Sequence, residues 1–198
     1  HSRQVVEHLL RAHDIKALVV ACNTATTAAI HVLRAEFPAL PIVGLEPALK
    51  PAVATSRTGH IAVLATRGTL ASARYAALRD SFAGATTVRP VPCDGLVKAI
   101  EGFDNPGIAA LCARYMAQAG PFGDGAGQVD TVVLGCTHYP LVKDELQRHA
   151  PATLRFIDTG APVAQQTRRV LASLGRLADG GSEGALVLES SGDLAVLE

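Results

Sequence analysis

Apolar residues in this chain gather into short unbroken runs, separated by stretches in which they recur every three or four positions. The runs at 15–21, 41–45, 60–65, 87–91, 129–135, 154–157 and 185–189 are rich in Val, Ile and Leu, alternate poorly and are too short for helices. They predict strands covered on both faces, as in a parallel sheet. Helical spacing appears at 2–13, 24–36, 47–56, 69–82, 94–101, 106–119, 140–149 and 161–174. Along 24–36, for example, Ala25, Ala28, Ala29, Val32 and Leu33 share one predicted face. Strand and helix alternate almost throughout, which predicts an α/β protein with right-handed crossovers.

Two stretches interrupt this rhythm. The passage from Pro41 to Pro51 is rich in proline and includes Glu46-Pro47, and it reads as a lobe boundary. The segment Gly120 to Gln128 reads as a flexible loop. The expected division is a first lobe of 1–46 plus 158–198 and a second of 47–157. Each would be a mainly parallel sheet flanked by helices, the two lobes pseudo-symmetric, with the active site in the cleft between them.

Composition narrows the class. In 198 residues, 48% are hydrophobic, enough for a substantial core. Eighteen Lys and Arg balance eighteen Asp and Glu, without a long run of either sign, so no footprint for nucleic acid or an anionic membrane is visible. No run approaches the ~18–20 apolar residues of a membrane helix, and the first residues lack the apolar core of a signal peptide. The expectation is a cytoplasmic protein with reduced thiols at Cys22, Cys93, Cys112 and Cys136. The chain opens on His1 inside a helical pattern, and its one methionine is Met116, so a natural start upstream is expected.

Two of the cysteines stand in matching places. Ile15-Lys16-Ala17-Leu18-Val19-Val20-Ala21-Cys22-Asn23-Thr24 aligns with Val129-Asp130-Thr131-Val132-Val133-Leu134-Gly135-Cys136-Thr137-His138. Each ends a strand run with a small residue and a cysteine, then turns toward a helix. Ligands of open α/β sheets bind beyond the carboxyl ends of the strands, where both cysteines lie. Asn23 or Thr24 is the expected N-cap of the first helix, and Pro140 suits the first turn of the second. Free N–H groups and the helix dipole favour anions there, so both thiols are expected to ionise more readily, with a carboxylate docked beside them.

Two matched thiols suit proton removal on one face of a carbon and proton return on the other. His138 is placed to orient or protonate Cys136, although helix capping would also explain it. Thr66 and Thr69, in a third strand-to-helix turn, are candidate carboxylate donors, with ordinary N-capping as the simpler account. Cys93 and Cys112 read as inert core residues. A zinc site from Cys22, Cys136 and His138 would lack compact ligand spacing, so no metal is expected. Asp158-Thr159-Gly160 reads as a capped turn, and Glu46 as part of a hinge.

Ala-Cys-Asn-Thr-Ala at 21–25 and Leu-Gly-Cys-Thr-His-Tyr-Pro-Leu at 134–141 resemble the two signature segments of glutamate racemases. The likeness extends to Gly44-Leu45-Glu46-Pro47-Ala48 and Ala65-Thr66-Arg67-Gly68-Thr69, and so to most of the chain. It implies cofactor-independent interconversion of L- and D-glutamate, supplying D-glutamate for peptidoglycan. It further implies that Cys22 serves the D-glutamate side and Cys136 the L-glutamate side, that Asn23, Thr24, Thr137 and His138 bind substrate, and that His138 assists Cys136. The partner implied is a small molecule, glutamate, and a homodimer is compatible with it.

The family carries an Asp-Ser-Gly segment near its start and a Pro-Tyr-Gly segment before the first cysteine. Neither precedes Cys22 here, so part of the wall around that thiol is expected to lie outside this chain. Rival readings are an aspartate racemase, a non-catalytic module for acidic ligands, and a cysteine hydrolase, which leaves the second matched cysteine without a role.

Overall fold

A computed structural model describes residues 1–84, 86–180 and 184–192. Six of its seven short apolar runs become parallel strands. β1 (Leu18–Val20) pairs with β2 (Ile42–Gly44), Leu18 opposite Ile42 and Val20 opposite Gly44. A second sheet contains β3 (His60–Ala65), β4 (Thr87–Pro92), β5 (Thr131–Leu134) and β6 (Arg155–Ile157), in the order β4-β3-β5-β6, all parallel. The helices are α1 (Ser2–Ala12), α2 (Asn23–Glu36), α3 (Leu49–Thr55), α4 (Arg67–Leu70), α5 (Ala73–Asp80), α6 (Leu96–Glu101), α7 (Asn105–Ala119), α8 (Lys143–Gln147) and α9 (Gly160–Ser173). A 3₁₀ turn at Tyr139–Val142 precedes α8. The fold is α/β, with two parallel sheets flanked by helices.

The period of two in a strand sorts the central core. Ala62 and Leu64 of β3 and Val132 and Leu134 of β5 face a cluster with Leu96, Met116, Tyr139 and Leu146. Ile61, Val63 and Ala65, with Val133, face the opposite cluster of Leu49, Ala52 and Tyr75. β3 and β5 are therefore apolar on both faces, as a buried parallel strand must be. A third cluster, Val6, Leu18, Ile30, Leu33 and Ile42, joins α1 and α2 to the two-stranded sheet.

Several elements differ from the sequence reading, each for a local reason. β4 accommodates Pro90 and Pro92 because it is an edge strand. The single helix expected over 69–82 is two, since Thr66 and Ser72 each capture an amide three residues on and start a separate helix. The buried face of α2 is Asn23, Thr26, Ile30 and Leu33, while Val32 is half exposed. Polar residues thus do much of the packing that an apolar stripe was expected to do.

The expected strand at 185–189 is irregular. Leu186, Val187 and Leu188 are 84%, 66% and 62% exposed, and no described strand supplies a ladder for them. Strand propensity without a pairing edge does not make a strand.

Candidate functional site

The first cysteine turn is built by three strand-end hydrogen bonds. Cys22 leaves β1 in an extended conformation (φ −147°, ψ 123°) and is itself the N-cap of α2, its Sγ accepting from the Ala25 N–H at 3.4 Å. Asn23 and Thr24, the expected caps, therefore lie inside the helix. The Thr26 hydroxyl donates to the Val20 carbonyl at 3.1 Å and accepts the Leu45 N–H at 3.0 Å, pinning the start of α2 to the ends of β1 and β2. Gly44 is required by this contact: a Cβ there would stand 2.6 Å from the Thr26 methyl. Cys22 remains exposed.

Asn23 is buried, yet neither its amide nitrogen nor its amide oxygen has a hydrogen-bond partner. Such a group costs about 1–3 kcal/mol unless something pairs with it.

The second turn is tighter. Gly135 donates its N–H to the Leu64 carbonyl at 2.7 Å, and a Cβ at this position would fall 2.9 Å from the same oxygen and 3.0 Å from the Ala65 Cβ. Only glycine lets the backbone cross β3 so closely. Cys136 follows, buried, with its Sγ 3.8 Å from His138 Nδ1. The other ring nitrogen, His138 Nε2, is 2.9 Å from Glu101 Oε1 at the end of α6. The three side chains form a line from thiol through imidazole to carboxylate.

Burial pushes the Cys136 thiol above its ordinary range. The backbone N–H groups of His138 and Thr137 oppose this, while negative charge on Cys22 or Glu101 would raise it further. The expectation of an easily ionised thiol is thus reversed here: desolvation outweighs the N–H groups. Thr137, half-buried, enters through its backbone N–H.

Where the start of α2 meets the start of α4 stands a triangle of hydroxyls. Thr24 Oγ1 lies 2.8 Å from Thr66 Oγ1 and 3.3 Å from Thr69 Oγ1, and the last two are 3.0 Å apart. Thr66 also caps α4 by accepting from the Thr69 N–H, so capping and clustering coexist. Three hydroxyls in mutual contact can turn their protons outward together toward an anion. Thr24 is therefore brought to Thr66 and Thr69, and His138 to Cys136.

The sequence reading missed Glu101 and Thr26. Glu101 ends a short helix far along the chain from His138, and only the tertiary fold reveals the pairing. Thr26 could have been found, being a helix residue that repeats on the face of Ile30 and Leu33. Cys93 and Cys112 are buried, burial pushing their thiols up to about 12 and about 11. Asp158 accepts the Gly160 N–H at 2.8 Å in the expected turn, and Glu46 is paired with Arg74. Among the described residues, no three His, Cys, Asp or Glu side chains converge to hold a metal ion, and no helix is long and apolar enough to cross a membrane.

The chain thus places a cysteine beyond a strand end in each of its two parallel sheets. The match is direct: the family model of Asp/Glu/hydantoin racemases covers residues 2–167, and the chain belongs to that family. It is 46% identical over 188 residues to a glutamate racemase of Pseudomonas syringae, covering 94% of this chain and 66% of that protein. To a glutamate racemase of Pseudomonas aeruginosa it is 51% identical over 167 residues, covering 83% and 61%. Among solved structures, Escherichia coli glutamate racemase in complex with L-glutamate and the activator UDP-MurNAc-Ala matches with a TM-score of 0.75 at 32% identity, covering 85% of this chain and 62% of that one. A glutamate racemase isoform of Bacillus anthracis matches with a TM-score of 0.75 at 28% identity, covering 90% and 65%. The chain thus spans about two thirds or less of these relatives' lengths.

Proposed function

We propose that this sequence serves a glutamate racemase working through two cysteines without a cofactor. The observation that supports the reading is the pair of strand-end thiols, Cys22 followed by an unpartnered buried amide and a threonine of the hydroxyl triangle, and Cys136 in contact with His138. Relatives at 46% and 51% identity named glutamate racemase support it.

In this mechanism one sulfur, as thiolate, takes the Cα proton while the other, as thiol, delivers a proton to the opposite face. Like charges on two neighbouring sulfurs would repel, so each turnover uses one thiolate and one thiol rather than two thiolates. Cys22 works from the D-glutamate side, with the Ala25 N–H available to its charge. Cys136 works from the L-glutamate side, its proton exchanged with His138, which Glu101 orients. Asn23, Thr24, Thr66, Thr69 and the Thr137–His138 turn bind substrate carboxylates and steady the anionic intermediate. Side chains make both transfers, so the reading calls for no cofactor.

The lobes in this proposal are 1–46 with 158–198, and 47–157. The product would feed peptidoglycan synthesis in the cytoplasm. The partner of the site is a small dicarboxylate rather than nucleic acid or membrane, and a homodimer is compatible with it.

The test is polarimetry from both enantiomers, with solvent deuterium followed at Cα. Cys22→Ser and Cys136→Ser should each lower racemisation by about 10³-fold, within the range of acid–base catalysis. Turnover retained in either variant overturns the two-thiol mechanism. Faster turnover of aspartate than glutamate would move the substrate within the family, and glutamate binding without deuterium uptake would leave a binding module.

A further inference from the structure

The segment that fails to become a strand has a definite seat. Val187 faces a groove on α1 that also contains Val5 and Leu9. Glu189 is held by two imidazoles of that helix and its cap, Oε2 lying 3.1 Å from His8 Nε2 and Oε1 2.8 Å from His13 Nε2. Its neighbours reach elsewhere: Ser190 and Gly192 line a second groove, whose other walls include Glu101, Phe103, His138 and Leu141. One short stretch therefore lines both the groove on α1 and the groove that contains His138.

What holds it there is charge. Leu186 and Leu188 stay largely in water, so apolar burial contributes little. Two carboxylate–imidazole contacts remain, and each becomes an ion pair only when its histidine is protonated.

We propose that residues 186–192 form a pH-dependent strap, seated by Glu189 on His8 and His13 in mildly acidic solution, that covers the mouth of the groove containing His138.

Protonation turns each imidazole contact into an ion pair, so the strap tightens as pH falls and loosens as it rises. Hydrogen bonds from His13 and His8 hold the Glu189 carboxyl below its usual range, so the anion persists well into acid and the strap releases only when it is finally protonated. The groups facing Glu189 are His8, His13 and, in the same groove, His1; the strap's described residues carry no other charge. At the far end the charged groups along the groove are Glu101, His138, Asp144, Glu145 and Arg148. The strap does not depend on the reaction assigned to the thiols.

Amide hydrogen exchange of the whole chain tests this. After correction for intrinsic rates, protection of peptides spanning 184–192 should be roughly threefold to tenfold higher at pH 6 than at pH 8, the size of two partly exposed ion pairs. Glu189→Gln should abolish the difference, and so should the double variant His8→Gln/His13→Gln, with protection of α7 unchanged as the check on folding. Equal protection of the wild-type segment at the two pH values overturns the proposal without recourse to a variant. A pH effect that survives in both variants overturns the assignment to these residues.

Discussion

The two cysteine turns align residue for residue, yet they are set in opposite surroundings. Cys136 follows β5, an interior strand between β3 and β6, and is buried under Tyr139 and Val142. Cys22 follows β1, one of two described strands in its sheet, and is exposed. The aligned neighbours record the difference. Gly135 has no space for a Cβ, whereas Ala21 has one and is exposed. A repeated sequence motif thus yields unequal thiols, because the sheet around each motif decides its desolvation. Burial raises the Cys136 thiol, whereas Cys22 meets solvent.

The largest stability effect that sharpens this contrast lies at the opposite end of β5. Asp130 is buried, and burial alone would raise its carboxyl. Hydrogen bonds from the Ser56 hydroxyl, the Arg57 and Thr58 N–H groups and the Thr131 hydroxyl outweigh that and hold it at about 2. Because this value is depressed below the ordinary ~3.9 of an unfolded chain, the carboxylate stabilises the fold above about pH 4. That stability is lost as pH falls toward 2. Asp130→Asn should cost about 2–3 kcal/mol near pH 7 and flatten the acid limb of the stability profile, measured by urea denaturation. Among the described residues the Cys22 turn is anchored by the Thr26 hydroxyl instead of a buried carboxylate. Its counterpart, Thr26→Ala, should cost about 1–2 kcal/mol, and equal losses would remove the asymmetry.

A second comparison exchanges the two small residues. Gly135→Ala forces a Cβ against the Leu64 carbonyl, a backbone atom that cannot swing away, and should destabilise by about 1–3 kcal/mol. Ala21→Gly adds only backbone freedom at an exposed position and should cost less than about 1 kcal/mol. Thermal melts of the two variants decide it. A well-tolerated Gly135→Ala would mean that β3 and the Cys136 turn can separate, and the rigidity assigned to this thiol would be lost.

How far the sequence revealed this depends on the range of each interaction. β3 was legible because a central parallel strand is apolar on both faces, which is a property of its own residues. The cysteine turns were legible because a small residue, a thiol and a hydroxyl recur after two such runs. The protonation of Cys136 was not, since burial under Tyr139 and Val142 is settled by packing, while the helix-start argument considers only the local backbone. Glu101 was hidden for the same reason, its meaning arising only where α6 meets the 3₁₀ turn. The run 185–189 misled in the other direction, because its propensity says nothing about whether an edge is available to pair with it.

The smallest effect tests the electrostatic link most directly. Negative charge on Cys22 and on Glu101 both raise the Cys136 thiol, so removing either should lower the pH at which it reacts. The measurement is the pH dependence of Cys136 alkylation by iodoacetamide, read at the peptide containing Cys136. The Cys22→Ser midpoint should fall below that of the wild type, and adding Glu101→Gln should lower it again. The second step is the weaker, because Glu101 is largely exposed and salt screens it, so it should shrink at high ionic strength. Cys136 is shielded from bulk solvent, which preserves more of the Cys22 contribution under the same salt. A midpoint indifferent to Cys22→Ser would leave the two turns as neighbours in fold but not in chemistry.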